Sequence, residues 1–247
     1  MSAYSRTELM TIAMARSFRD GEVVVMGAMP TLPLAAARLA KTLWAPNLSY
    51  VVGGSGAVNP TPDWLPASSC DPTLRAARSI LPLPDVVLLE GRGDALDVFC
   101  AGGLQIDATG ACNLICVGDW NHPVLRGPGT VGLPFLPAVR RSVLYTSVHD
   151  RRTLVERVDF VSGPGHEASA RFGSEGPSLL VTPLATFDFD PETKRTRLRT
   201  VHPGVDPALV EEQTGFELTH PWAGITPEPT SDELETLRSV DPSGMLR

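Results

Sequence analysis

The residues with the most chemical promise in this chain are glycines. Gly53-Gly54-Ser55-Gly56 follows the buried-type strand run Leu48–Val52, and glycine at a strand end lets a ligand reach the backbone because no Cβ stands in the way. Ligands gather at the carboxyl ends of strands in open α/β sheets, so the cluster reads either as a ligand-facing turn or as a plain turn. It is neither a dinucleotide fingerprint nor a P-loop, since no Lys-Ser/Thr follows. Gly102-Gly103 and Gly127-Pro128-Gly129, with Gly132, offer further close-approach backbone. Ser55 is not the centre of a G-x-S-x-G elbow, because Ala57 stands where the last glycine is needed. Cys70, in Ser68-Ser69-Cys70-Asp71, is the one thiol in a polar setting and reads as a bystander rather than a nucleophile. His122 and His202 each precede a proline and read as turn residues. Cys112 and Cys116 have no second Cys or His pair at a useful spacing, so no metal site is expected.

These residues need a scaffold, and the first part of the chain spells one out. Ser5-Arg6-Thr7-Glu8 is a capping box that opens a helix running toward Gly21. Glu22–Gly27 reads as a strand, Leu32–Leu43 as a helix and Leu48–Val52 as the next strand, an α/β alternation that predicts a parallel sheet. The middle reads as short strands at Asp85–Glu90, Val98–Ala101, Leu114–Val117, Ser142–Val148, Val158–Val161 and Ser178–Thr182. Thr186–Asp190 and Arg195–Val201 form a hairpin around Asp190-Pro191-Glu192-Thr193, and helices near Pro207–Gln213 and Asp232–Val240 close the chain. With no repeat or long linker, residues 1–247 read as a single α/β domain.

Composition removes several classes. The 28 acidic and 21 basic side chains leave a net charge of −7, which argues against a nucleic-acid partner. The 22 glycines and 23 prolines interrupt the chain too often for a long helical bundle or coiled coil. No apolar run approaches the roughly 18–20 residues that span a bilayer, so no membrane partner is expected. The opening Met1-Ser2-Ala3 leads into the helix without an apolar signal core, and the four cysteines read as reduced thiols, both of which suit the cytoplasm.

Several stretches in series resemble the β subunit of the family I coenzyme A transferases of the glutaconate type. They are Gly102-Gly103-Leu104-Gln105-Ile106-Asp107 with Gly110 and Asn113, Gly118-Asp119-Trp120-Asn121-His122-Pro123, and Val158–Gly165. Gly176–Thr182, Phe187–Asp190 through Lys194-Arg195, His202-Pro203-Gly204 and Thr214–Leu218 complete the series, which spans about residues 5 to 240. The resemblance implies an open mixed, largely parallel sheet layered with helices. It also implies a homologous α subunit in an αβ or α2β2 assembly, with the active site at their interface. Transferases of this type carry a glutamate just after the strand matching Leu48–Val52, and that carboxylate attacks the acyl-CoA thioester. Here the position falls on Gly53 or Gly54, with Ser55 beside it, so no nucleophile stands there. The family's glycine-rich oxyanion loop matches Gly129 and Gly132, and its active-site loop falls near Ser69 and Cys70. Gly102, Gly103 and Gln105 are the remaining substrate-binding candidates. A transferase frame without its glutamate resembles the family's decarboxylating branch, which acts on 3-methylglutaconyl-CoA without a cofactor, the thioester serving as electron sink. Rival expectations are a ring-opening hydrolase of steroid-derived CoA thioesters, a transferase with a carboxylate from elsewhere, and a non-catalytic scaffold subunit.

Overall fold

The computed structural model describes residues 4–218 and 224–247, so the opening Met1-Ser2-Ala3 lies outside the described residues. In chain order the elements are α1 (Arg6–Ala15), β1 (Val23–Met26), α2 (Thr31–Leu43), β2 (Ser49–Val52), β3 (Ala57–Val58), β4 (Ser79–Ile80), α3 (Leu83–Glu90) and β5 (Val98–Gly102). There follow β6 (Gln105–Asp107), β7 (Cys112–Asn113), β8 (Cys116–Gly118), β9 (Pro123–Arg126), β10 (Arg141–Tyr145), β11 (Leu154–Val155) and α4 (His166–Phe172). The last are β12 (Gly176–Val181), β13 (Ala185–Phe189), β14 (Thr196–Val201), α5 (Pro207–Gln213) and α6 (Ser231–Val240). The chain divides into two compact units, one ending at Cys100 and completed by residues 227–247, the other formed by residues 101–226.

In the first unit the strands lie in the order β5-β1-β2-β3-β4. β1 runs parallel to both neighbours, while β3 is antiparallel to β2 and to β4. The apolar runs of β1 and β2 are what a strand covered on both faces requires, and Val24, Val25, Met26, Tyr50 and Val52 are all buried. The alanine-rich helix α2 buries nearly its whole circumference and packs against α1 and α6. Those two helices clamp each other through their capping boxes. Glu8 of α1 accepts from Arg238 Nε of α6 at 2.8 Å, and Glu233 of α6 accepts from Arg16 Nε at 2.7 Å and Nη2 at 2.6 Å. Burial acts to raise both carboxyl pKa values, but the arginine bonds and the N-cap amides outweigh it and hold both below the usual range.

The second unit repeats the scheme with β14-β13-β12-β10, in which β10 and β12 are parallel and β12, β13 and β14 antiparallel. Small sheets β11-β6-β7 and β8-β9 accompany it. The fold class is therefore the expected one, α/β with mixed, largely parallel strands layered with helices.

Three local expectations are corrected. Asp85–Glu90 is not a strand but lies in helix α3, started by Pro82 and Pro84, because a short apolar run carries no period of its own. Of Leu114–Val117 only Cys116 and Val117 are strand, in β8, and Leu114 and Ile115 form a turn after β7, since the Asn113 carboxamide oxygen accepts from the amides of Ile115 at 3.1 Å and Cys116 at 3.3 Å and turns the chain. Val158–Val161 forms no strand. Its backbone is held by side chains instead, with the Val158 N–H on Asp107 at 3.4 Å and the Asp159 N–H on Gln105 at 3.0 Å.

Candidate active site

The first unit brings the glycine pair to the carboxyl ends of two parallel strands. The Gly53 N–H donates to the Met26 carbonyl at 2.9 Å, which carries the β1–β2 ladder one residue past Val52. The Gly56 N–H then closes on the Val52 carbonyl at 2.9 Å and the chain reverses into β3. Gly56 has φ +67°, and a Cβ there would collide with the Leu81 carbonyl, so this position demands glycine for the turn itself. Ser55 is consumed by the same turn, its hydroxyl donating to the Val52 carbonyl and accepting from the Ala57 N–H, each at 3.3 Å.

Gly53 and Gly54 look onto different groups. A Cβ on Gly54 would run into Ser69 Oγ, lie 2.9 Å from Ser69 Cβ and stand 3.6 Å from Cys70 Sγ. The loop that delivers these two is tied to the end of β1 by the Ser69 N–H, which donates to the Ala28 carbonyl at 2.9 Å. Ser69 is buried and Cys70 exposed, so the structure gathers the predicted Gly54, Ser69 and Cys70 at one point.

A Cβ on Gly53 would stand 3.2 Å from the Met26 carbonyl and 3.4 Å from Glu90 Oε1. Glu90 is the functional candidate that sequence reasoning missed. Its helix α3 buries only Val86 and Glu90, one turn apart on the same face, while Leu83 and Leu88 are 59% and 66% exposed. Glu90 as a residue is 5% exposed, and burial pushes its carboxyl pKa from 4.5 up to about 7 with no charged neighbour to oppose the shift. No described residue hydrogen-bonds to it. The signal available in the sequence was an acidic residue ending the apolar run Val86–Leu89, which in a strand reading carries no inward direction.

The second unit holds the other predicted residues, and local packing accounts for three of them. A Cβ on Gly102 would press on the Tyr145 carbonyl at 3.2 Å, and one on Gly103 would lie 2.7 Å from the Gln105 carbonyl and 2.9 Å from that of Asn113. The Gln105 carboxamide is engaged at both ends, donating to Asp159 at 3.0 Å and accepting from Asn113 Nδ2 at 2.8 Å. Gly129, at φ +114°, has open space around its Cβ position, but its N–H donates to the Leu114 carbonyl at 3.3 Å. Of the proposed oxyanion pair, Gly132 is the one whose N–H meets no described acceptor. His202, expected in a plain turn, is buried and bonded to Thr226 Oγ1 at 2.8 Å and to the Thr182 carbonyl at 2.9 Å. A cavity of about 360 Å³ in this unit is lined by Asp107, Glu156, Arg157, Glu167 and Arg195, and its Glu156–Arg195 pair is already closed at 2.8 Å.

Comparison with known proteins bears on this geometry. The sequence profile described as "Coenzyme A transferase" matches residues 7–213. A 3-oxoadipate CoA-transferase subunit of Pseudomonas knackmussii is 31% identical, with 98% of this chain and 95% of that one aligned. The crystal structure of glutaconate coenzyme A-transferase from Acidaminococcus fermentans superposes with a TM-score of 0.87 at 28% identity, covering 99% of this chain and 97% of the other. The decarboxylase AibA/AibB superposes with a TM-score of 0.86 at 26% identity, covering 98% and 97%.

Proposed function

We propose, from the premise that this chain belongs to the coenzyme A transferase family, that it is the β subunit of a heteromeric acyl-CoA decarboxylase. Its relatives include subunits of two-component enzymes, and a homologous α subunit completes the site in this reading. The substrate we propose is 3-methylglutaconyl-CoA and the product 3,3-dimethylacrylyl-CoA, as a step toward isovaleryl-CoA. The observation that carries the reading is the pair Gly53-Gly54. The resemblance puts a nucleophilic glutamate at one of these two positions, where this chain has no side chain, and the space a Gly54 Cβ would take is filled by Ser69 Oγ.

Decarboxylation asks for none of the missing parts. The bond between the distal carboxylate and its carbon breaks, CO2 leaves, and the electron pair flows through the conjugated double bond into the thioester carbonyl. The resulting dienolate takes one proton on carbon and the thioester re-forms. The chain must therefore hold the CoA ester, stabilise the thioester oxygen and supply a proton, with the thioester itself as electron sink and no cofactor. One backbone donor aimed at that oxygen is worth on the order of 3 kcal/mol, and Gly132 is our candidate. The apolar face that α3 shows outward, Leu83 and Leu88 with Ile80, suits burial against the α subunit. No helix among the described residues is long and apolar enough to cross a membrane, and we assign the complex to the cytoplasm.

The test is to incubate the co-expressed αβ complex with 3-methylglutaconyl-CoA, without any acceptor acid, and follow the CoA esters by mass spectrometry. A product lighter by CO2 is expected. Turnover that appears only when acetate is added would reassign the chain to a transferase, and unchanged 3-methylglutaconyl-CoA beside a cyclic acyl-CoA that gains one water would reassign it to a ring-opening hydrolase.

A further inference from the structure

Three features of the first unit meet at Glu90. Its carboxyl Oε1 lies 3.4 Å from where a Gly53 Cβ would stand, and the Met26 carbonyl lies 3.2 Å from the same point. A side chain on Gly53 would thus touch the carboxyl, and its absence sets Glu90 against bare backbone at the carboxyl ends of the parallel strands β1 and β2, where open α/β sheets bind ligands. Second, helix α3 turns Val86 and Glu90 inward, so an ionisable side chain takes a buried position on this face of the helix. Third, no described residue supplies Glu90 with a hydrogen bond or a counter-charge. A carboxyl kept for structure is paired with an arginine or with amides, as Glu8 and Glu233 are in this same unit. Around Gly53, β1 contributes Val25 and Met26, neither of them titratable, and β2 ends in the glycines, while the Ser69–Cys70 loop with its thiol faces the neighbouring Gly54.

We propose that Glu90 is the acid–base residue of this site, giving a proton to the substrate carbon that has lost CO2. The proposal rests on the decarboxylase reading. In the step, the dienolate carbon takes the proton from the Glu90 carboxyl as a carbon–hydrogen bond forms and the thioester carbonyl is restored. Glu90 is left as carboxylate and regains a proton from water. The sum is one substrate carboxylate and one proton converted to product and CO2. The pKa near 7 that burial imposes keeps about half of the carboxyls protonated at neutral pH while leaving the group able to release the proton. The reverse motion, removal of a γ-proton from 3,3-dimethylacrylyl-CoA, uses the same group.

The experiment compares wild type, Glu90→Gln and Glu90→Asp in the co-expressed complex, with circular dichroism to establish that each variant is folded. Two reactions are followed by mass spectrometry, CO2 loss from 3-methylglutaconyl-CoA and deuterium uptake into 3,3-dimethylacrylyl-CoA in heavy water. Glu90→Gln should slow both by about 100-fold or more, in keeping with a lost general acid, while the dissociation constant for the product ester is unchanged. Glu90→Asp should recover part of the rate. The fall in wild-type kcat as pH rises through about 7 should be absent from the residual Glu90→Gln activity. Deuterium uptake that needs Glu90, in a complex releasing no CO2, would sustain this assignment and sink the decarboxylase reading. Deuterium uptake in Glu90→Gln within a few-fold of wild type would overturn it, as would no uptake by wild type at all. A Glu90 hydroxamate found after acyl-CoA and hydroxylamine would also overturn it, making Glu90 a nucleophile and the chain a transferase.

Discussion

Replacing Glu90 with Gln should make the protein more stable at alkaline pH. In the folded chain the carboxyl holds its proton up to about pH 7, whereas in the unfolded chain it ionises near 4.5. Between those values the unfolded state has released a proton that the native state still binds, so stability falls as pH rises, and above about 7 the loss is complete. At roughly 1.4 kcal/mol per tenfold step, that interval corresponds to about 3 kcal/mol. With the residue 5% exposed, solvent screening relieves little of it. Glutamine has the same shape and never ionises, and its amide faces the same lack of partners as the neutral acid. The assay is urea unfolding of the αβ complex, wild type against Glu90→Gln, at intervals from pH 4.5 to 8.5. The two should agree at the acid end and diverge to about 3 kcal/mol in favour of the variant by pH 8. An infrared carboxylic C=O band that titrates near neutral pH in wild type should be missing from the variant. A stability difference that does not change with pH would refute the reasoning, because it would mean that Glu90 is ionised and solvated in the native state.

Gly54→Ala should cost about 1–3 kcal/mol by overpacking against Ser69, and much less in a Ser69→Gly background. A double-mutant cycle by thermal unfolding checks the coupling, and additive losses would mean that the two residues do not touch. His149 is buried between Thr182 Oγ1 at 2.8 Å and Thr214 Oγ1 at 3.1 Å, and burial lowers its pKa from 6.5 to about 4. The unfolded chain therefore takes up a proton that the native imidazole refuses, and stability should fall by about 3 kcal/mol as pH drops from 6.5 to 4, a slope that His149→Gln removes in unfolding titrations. Thr230→Ala should cost about 1 kcal/mol in urea unfolding, since its hydroxyl satisfies the Glu233 amide at 3.2 Å and caps the helix that clamps α1.

The sequence by itself determined the local architecture of both termini and the chemistry that is missing. Ser5 and Glu8 close the capping box that their spacing announces, β1 forms around Val23-Val24-Val25 and β2 around Tyr50-Val51-Val52, where strand-favouring residues follow one another, and β13 and β14 pair around Asp190–Thr193. These follow from short-range preferences that need no partner. The loss of a nucleophile at residues 53 and 54 is equally a matter of residue type. What only the tertiary structure decided is direction. Asp85–Glu90 has no period that separates strand from helix, and it folds as a helix that begins at Pro82 and Pro84 and buries Val86 and Glu90. Once helical, it sends Glu90 inward beside Gly53, thirty-seven residues away in sequence, and the loop of Ser69 and Cys70 meets Gly54 through a bond to Ala28. Gln105, Gly102 and Gly103, by contrast, turn out to be held by neighbours that no spacing reveals. A carboxyl becomes a proton donor at neutral pH through burial without a partner, and burial is a property of the folded chain alone.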